Sequence, residues 1–117
     1  YMLQPHNSYE HGAQLTLWLD AGYRTLELDV QDQDDGSTNP RGPYVAHDGG
    51  PTNSNCRGTA DRLADCLDDI VAWQNAHPGQ LPIVVFVDMK TRTGNLLSAW
   101  DVSKIDALDR FVSGYLG

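Results

Sequence analysis

Residues 25–30 alternate without a break: Leu26, Leu28 and Val30 fall on one side, and Thr25, Glu27 and Asp29 on the other. Successive side chains of a strand point to opposite faces, so this is the pattern of a strand with one apolar and one acidic face. The apolar face packs against helices. The acidic face then points two carboxylates into a barrel interior or a crevice. Charges this close repel, and burial raises the cost. Either a hard cation such as Ca²⁺ or Mg²⁺ takes their oxygens, or Arg24 or Lys90 pairs with one carboxylate while water solvates the other. The residues alone leave both readings open.

The elements around this strand alternate in type. Tyr1 to Leu3 read as the stub of a strand. Residues 10–20 carry Leu15, Trp18 and Leu19 at helical spacing, and Gly22 follows as a stop. Residues 31–42 are polar and rich in turn formers, hence a loop. Residues 44–47 form a short strand, and 48–58, with their Gly, Pro and Asn, a second loop. Thr59 can cap a helix reaching Ala76, with Leu63, Cys66, Leu67, Ile70 and Val71 as its apolar stripe. His77, Pro78 and Gly79 end it. Residues 83–90 are β-branched and aromatic and form the strongest strand. Asp101 can cap a last helix bearing Ile105, Leu108, Phe111 and Val112. Alternating strands and helices predict α/β architecture, a parallel sheet with helices outside, as an open doubly wound sheet or a (β/α) barrel.

The second strand repeats the chemistry of the first. Val84, Phe86, Asp88 and Lys90 share a face, so a mostly apolar strand ends with a carboxylate and an amine. Catalytic groups collect at the C-terminal ends of barrel strands, although an Asp88–Lys90 ion pair at the rim explains the same pattern. His6 and His47 follow strand ends and converge with the three carboxylates. His11 and His77 belong to exposed positions. Imidazole carries protons near neutral pH. Two imidazoles, three carboxylates, the Lys90 ammonium and the Asn7 amide suit attack on a phosphodiester.

A formal net charge of −8 argues against a nucleic-acid partner, whose phosphates need a basic face, and against unassisted docking on an anionic membrane. No apolar run reaches the roughly 18 residues of a membrane span, so no transmembrane segment is expected. Cys56 and Cys66 form one disulfide or remain two buried thiols; two cysteines cannot make a structural zinc site. Asp32, Asp34 and Gly36 hint at a calcium loop, but the glycine falls one position early and no glutamate closes it, so the segment reads as a solvated loop. Trp73 and Trp100 read as core or helix-edge aromatics.

His6, Asn7, Ser8 and Tyr9, then Leu26 to Val30, then Ala46 and His47, then Val87, Asp88, Met89 and Lys90 follow one another in an order that resembles the phosphatidylinositol-specific phospholipase C-like phosphodiesterase superfamily. The stretch with Cys66, Leu67, Ile70, Trp73, His77, Pro78, Gly79, Leu81, Pro82 and Ile83 is similar to its calcium-dependent bacterial branch. The resemblance implies the N-terminal half of a (β/α)8 TIM-like barrel, with residues 1–117 as one partial domain lacking the C-terminal half. It implies His6 and His47 as catalytic histidines, Asn7, Glu27, Asp29 and Asp88 as ligands of Ca²⁺ (or Mg²⁺), Lys90 as a phosphate contact, and a Cys56–Cys66 disulfide.

The implied reaction is attack by a hydroxyl of the substrate on its own phosphodiester, giving a cyclic phosphate and diacylglycerol. The implied partner is a phospholipid met by transient contact with a membrane surface, and the implied setting is extracellular. Asp88 stands where phospholipases of the branch have Glu. Its pairing with Lys90 is also similar to sphingomyelinase D relatives, and His47 with Asp48 to glycerophosphodiester phosphodiesterases. A binding-only barrel fragment, retaining the metal site without turnover, is the reading from another class.

Overall fold

The sheet forms where the sequence is most β-branched and most strictly alternating. In the computed structural model, which describes residues 3–10, 14–31, 40–47, 56, 62–91 and 100–117, strand β1 (Thr25–Gln31) and strand β2 (Val84–Lys90) pair in parallel. The register sets Thr25 opposite Val84, Glu27 opposite Phe86, Asp29 opposite Asp88 and Gln31 opposite Lys90. The chain passes from β1 to β2 through a helix. A parallel pair needs such a crossover, and the result is the α/β arrangement of a partial barrel.

Helix α1 (Thr16–Asp20) precedes β1, and Gly22, at φ 101°, turns the chain out of it. Helix α2 (Leu63–Ala76) is the crossover, and helix α3 (Val102–Leu116) follows β2. Asp101 caps α3 as the sequence implies: its side chain accepts the backbone N–H of Lys104 at 2.9 Å. Leu26, Leu28 and Val30 are wholly buried and pack with Leu15 and Leu19 before the strand and with Leu63, Leu67, Ile70 and Trp73 of α2. Each such side chain contributes about 1.5–3 kcal/mol by leaving water. This packing fixes which way β1 faces, and so sends Glu27 and Asp29 to the other side.

Helix α2 also anchors the segment that ends in His47. Its first backbone N–H groups have no partner within the helix. Those of Leu63 and Ala64 donate instead to the carbonyls of Pro43 and Arg41 at 2.9 and 3.0 Å. Asp65 accepts the Arg62 N–H at 3.0 Å, and the Arg41 guanidinium pairs with Asp65 and with Asp68 at 2.7 Å from the latter. Gly42, at φ 81°, lies so close under α3 that an added Cβ would stand 2.7 Å from the Phe111 ring. The Tyr115 hydroxyl bonds Asp68 and ties α3 to α2.

The structure corrects three expectations. Residues 44–47 are not a strand of the parallel sheet: Val45 and Tyr44 make isolated antiparallel bridges to Val30 and Arg62. The returning chain pairs antiparallel through Gln31 N–H to Tyr44 O and Ala46 N–H to Asp29 O. The helix expected over 10–20 is confined, among the described residues, to Thr16–Asp20. Residues 7–10 form a turn, closed by the Glu10 N–H to the Asn7 carbonyl at 3.1 Å. Helix α2 opens at Arg62, which is extended. The expected cap, Thr59, lies outside the described residues, as do His11 and the segment from Asp32 to Gly36. Tyr1 and Met2 of the expected first strand do too, and Leu3 is exposed and in no strand.

The disulfide joins Cys56 to Cys66. Trp73 and Trp100 are buried core aromatics, as their positions imply. No helix among the described residues is long and apolar enough to cross a membrane.

Strand β2 is exposed on both faces, with Val84, Phe86, Val87 and Met89 each 38–51% accessible, and among the described residues it pairs only with β1. Open strand edges and apolar patches recruit other chains. The 117-residue chain alone is expected to self-associate with rising concentration in sedimentation velocity, and Phe86→Lys to reduce that association. A cooperative, concentration-independent melt of a monomer would contradict this.

Candidate functional site

The inward face of β1 carries Thr25, Glu27, Asp29 and Gln31, and the matching face of β2 carries Val84, Phe86, Asp88 and Lys90. The register puts Asp29 beside Asp88 near the C-terminal ends of the two strands. One carboxylate oxygen from each of Glu27, Asp29 and Asp88 lies within 4.8 Å of the other two. The site is layered. Asp29 is fully buried, Glu27 is partly buried, and Asp88 is exposed.

Each carboxylate is held differently. Glu27 accepts Gln4 Nε2 at 2.8 Å and the Asn7 N–H at 3.3 Å, and its Oε1 lies 3.5 Å from His6 Nε2. Its backbone N–H donates to Ser8 Oγ at 2.8 Å, which stitches the 7–10 turn to β1. Asp88 pairs with Lys90 Nζ at 2.9 Å, so the rim ion pair foreseen as the simple alternative does form, beside the cluster. Arg24, the other candidate partner, points away: it donates to Leu19 O, Tyr23 O and Gln80 Oε1 and lies over the Trp73 ring. Asp29 Oδ2 accepts the Tyr9 hydroxyl at 2.6 Å, while Asp29 Oδ1 is buried with no hydrogen-bond partner.

Burial pushes the Asp29 carboxyl above its ordinary value, against the Tyr9 hydrogen bond and the nearby Lys90 and His47, while Asp88 adds to the rise. The Tyr9 phenol is pushed up by burial and by the Asp29 bond. The Lys90 ammonium is held charged chiefly by Asp88.

The two expected histidines lie on separate segments of the chain. The His6 side chain is 75% exposed and touches the cluster through Glu27. His47 is half-buried and acts electrostatically on Asp29. Its segment is held by Gln31, whose Nε2 donates to the carbonyls of Ala46 at 2.5 Å and His47 at 3.2 Å. His77 lies elsewhere, stacked on Trp73 with its Nδ1 2.8 Å from the Trp73 carbonyl. Asn7 sits at φ 49° in the turn. Its Nδ2 donates to Glu10 at 2.6 Å, and its buried Oδ1 has no hydrogen-bond partner.

The donor set fits a hard cation. Two oxygens bound to one Ca²⁺ at 2.3–2.6 Å lie no more than about 5 Å apart, and the three carboxylates meet that limit. Two buried oxygens of this set, Asp29 Oδ1 and Asn7 Oδ1, have no hydrogen-bond partner. All these donors are oxygens, the ligands of Ca²⁺ and Mg²⁺.

Reading the residues in sequence overlooks Tyr9, Ser8, Gln4 and Gln31. Gln31 carried a signal, being the next inward position on β1 after Asp29. Tyr9, Ser8 and Gln4 carried none, because they lie outside any periodic element.

No family model matches the chain, and no curated protein does. Solved structures do. A Ca²⁺-dependent phosphatidylinositol-specific phospholipase C from Streptomyces antibioticus aligns at TM-score 0.65 and 31% identity, over 93% of this chain and 38% of that one. The calcium-dependent phosphoinositol-specific phospholipase C from the Gram-negative Pseudomonas sp., in its myoinositol complex, aligns at 0.68 and 31%, over 97% of this chain and 41% of that one. A second crystal form of the Pseudomonas protein aligns at 0.67 and 30%, over 97% and 42%. The chain thus spans about two fifths of the length of these structures. At 30–31% identity over 93–97% of this chain, these matches support its membership of the phosphatidylinositol-specific phospholipase C-like phosphodiesterase superfamily.

Proposed function

We propose that this chain carries the metal and histidine half of a calcium-dependent phosphoric diester hydrolase acting on a phospholipid, with phosphatidylinositol as substrate. The observation that carries the reading is the cluster of Glu27, Asp29 and Asp88, with oxygens within 4.8 Å of one another and one buried oxygen of Asp29 lacking any hydrogen-bond partner. The solved calcium-dependent phospholipases of the same fold support it.

In this reading Glu27, Asp29, Asp88 and Asn7 hold Ca²⁺, which when bound neutralises charge developing on the phosphate. One imidazole takes the proton from the attacking hydroxyl of the substrate. That oxygen bonds to phosphorus, the bond to the diacylglycerol oxygen breaks, and the other imidazole supplies that oxygen with a proton. His6, whose Nε2 lies beside Glu27, is assigned to the phosphate and the leaving group. His47 is positioned by the Gln31 amide on its backbone. The Lys90 ammonium, kept protonated by Asp88, stabilises the phosphate oxygens. The lipid is met by transient contact with a membrane surface. The Cys56–Cys66 bridge supports an oxidising, extracellular setting.

Calorimetric titration of the protein with Ca²⁺ is expected to show one site. Asp29→Asn is expected to weaken it at least about tenfold, because it removes a buried charged ligand. A carboxylate must be deprotonated to bind metal. Since the Asp29 carboxyl is raised above its ordinary 3.8, Ca²⁺ affinity falls as pH drops into that raised range and recovers as pH climbs above it. Hydrolysis of phosphatidylinositol vesicles is expected to vanish in EDTA and return with Ca²⁺. His47→Ala is expected to lower kcat by about 10²–10⁴-fold with the Ca²⁺ affinity retained. Activity indifferent to EDTA removes the metal from the mechanism, and turnover unchanged in the His47 variant removes the imidazole. Preferential hydrolysis of sphingomyelin or of glycerophosphodiesters moves the substrate to one of the related activities.

A further inference from the structure

Tyr9 is fully buried, and its hydroxyl donates to Asp29 Oδ2 at 2.6 Å. The tyrosine lies in the turn that also supplies His6 and Asn7, and the Ser8 hydroxyl in that turn is bonded to the β1 backbone beside Glu27. A hydroxyl that served only to satisfy a buried carboxylate would leave its burden half met, because Asp29 Oδ1 has no hydrogen-bond partner. The two oxygens of one carboxylate are thus sorted. One is committed to Tyr9. The other has no hydrogen-bond partner, and one oxygen of Asp29 belongs to the cluster with Glu27 and Asp88.

We infer that Tyr9 is a positioning residue of the metal site: by occupying Oδ2 it fixes the Asp29 carboxylate plane and presents Oδ1 alone, making Asp29 a one-oxygen ligand. The inference rests on the metal reading above and extends it to a residue that touches no metal. A partner behind a ligating group orients it, and its loss typically costs 10–100-fold in metal affinity. The aromatic ring itself belongs to the core with Leu26, Leu28 and Val30, so Tyr9→Phe keeps the packing and deletes only the hydroxyl. Tyr115 provides the control, since its hydroxyl also bonds a carboxylate, Asp68, but on the far helix pair.

The test is Ca²⁺ titration by calorimetry of the protein, Y9F and Y115F, with melting curves in EDTA to confirm folding. Y9F is expected to raise the Ca²⁺ Kd by about 10–100-fold, whereas Y115F lowers the melting temperature and leaves the Kd in place. Equal Kd values for Y9F and the unaltered protein overturn the inference and leave the metal site standing. No Ca²⁺ binding by the unaltered protein sinks the metal reading and the inference with it. Should Y9F not fold, 3-fluorotyrosine placed at position 9 decides the matter without deleting the hydroxyl. Its ¹⁹F resonance is expected to shift as Ca²⁺ saturates the protein, and a resonance that stays in place through saturation overturns the inference.

Discussion

The structure depends on two acidic side chains standing shoulder to shoulder on neighbouring parallel strands. Asp29 and Asp88 are register partners, and Glu27 lies two positions back on the same face. Backbone pairing fixes the strand register that brings these side chains together. Burial makes Asp29 the extreme case, with its carboxyl raised by desolvation. Such a site carries repulsion that an opposite charge or a proton relieves. Lys90 provides part of it at the rim through Asp88. Asp29 Oδ1 has no hydrogen-bond partner.

The rest of the fold can be understood as support for that face. Leucines 26 and 28 and Val30 press β1 onto α2 and the segment of α1, which fixes the direction of the acidic side. The N-terminus of α2 uses its unpartnered N–H groups to grip the carbonyls of Arg41 and Pro43, and Gln31 grips those of Ala46 and His47. On the other flank the Asn7 turn is sewn to β1 by Ser8 and by Glu27 itself. The two imidazoles therefore arrive on separate short segments, each fastened to the strand that carries the carboxylates. In this family's fold, reactive groups gather where strands end and loops begin, because loop backbone can be re-aimed while the strands stay rigid.

Much of this was legible residue by residue. The alternation of 25–30 gave the two faces of β1, and the run from Ile83 to Lys90 gave β2 and the inward placement of Asp88 and Lys90. Asp101 announced the start of α3. Residues 44–47 were misread because an apolar triplet after a polar loop looks the same whether the chain returns parallel or antiparallel. The difference lies in the length and content of the crossover, and in the bridge to Arg62 across the start of α2. The early helix was overextended because helical spacing in 15–19 says nothing about where a turn begins. Tyr9 and Gln4 stayed silent for a related reason: a turn has no period, so nothing marks which of its side chains face inward.

The amino-acid order alone determined which residues share a strand face, since that follows from the two-residue repeat of an extended backbone. With it came the acidic character of the inner side and the helices that must cover the outer one. Tertiary structure alone decided the register that sets Asp29 against Asp88, and the bond from Tyr9 to Asp29 Oδ2 that leaves Oδ1 without a hydrogen-bond partner. It also decided the approach of His6 to Glu27. These depend on contacts between segments 20 to 60 residues apart, whose alignment is set by packing of the whole core, and no local pattern along the chain encodes that alignment.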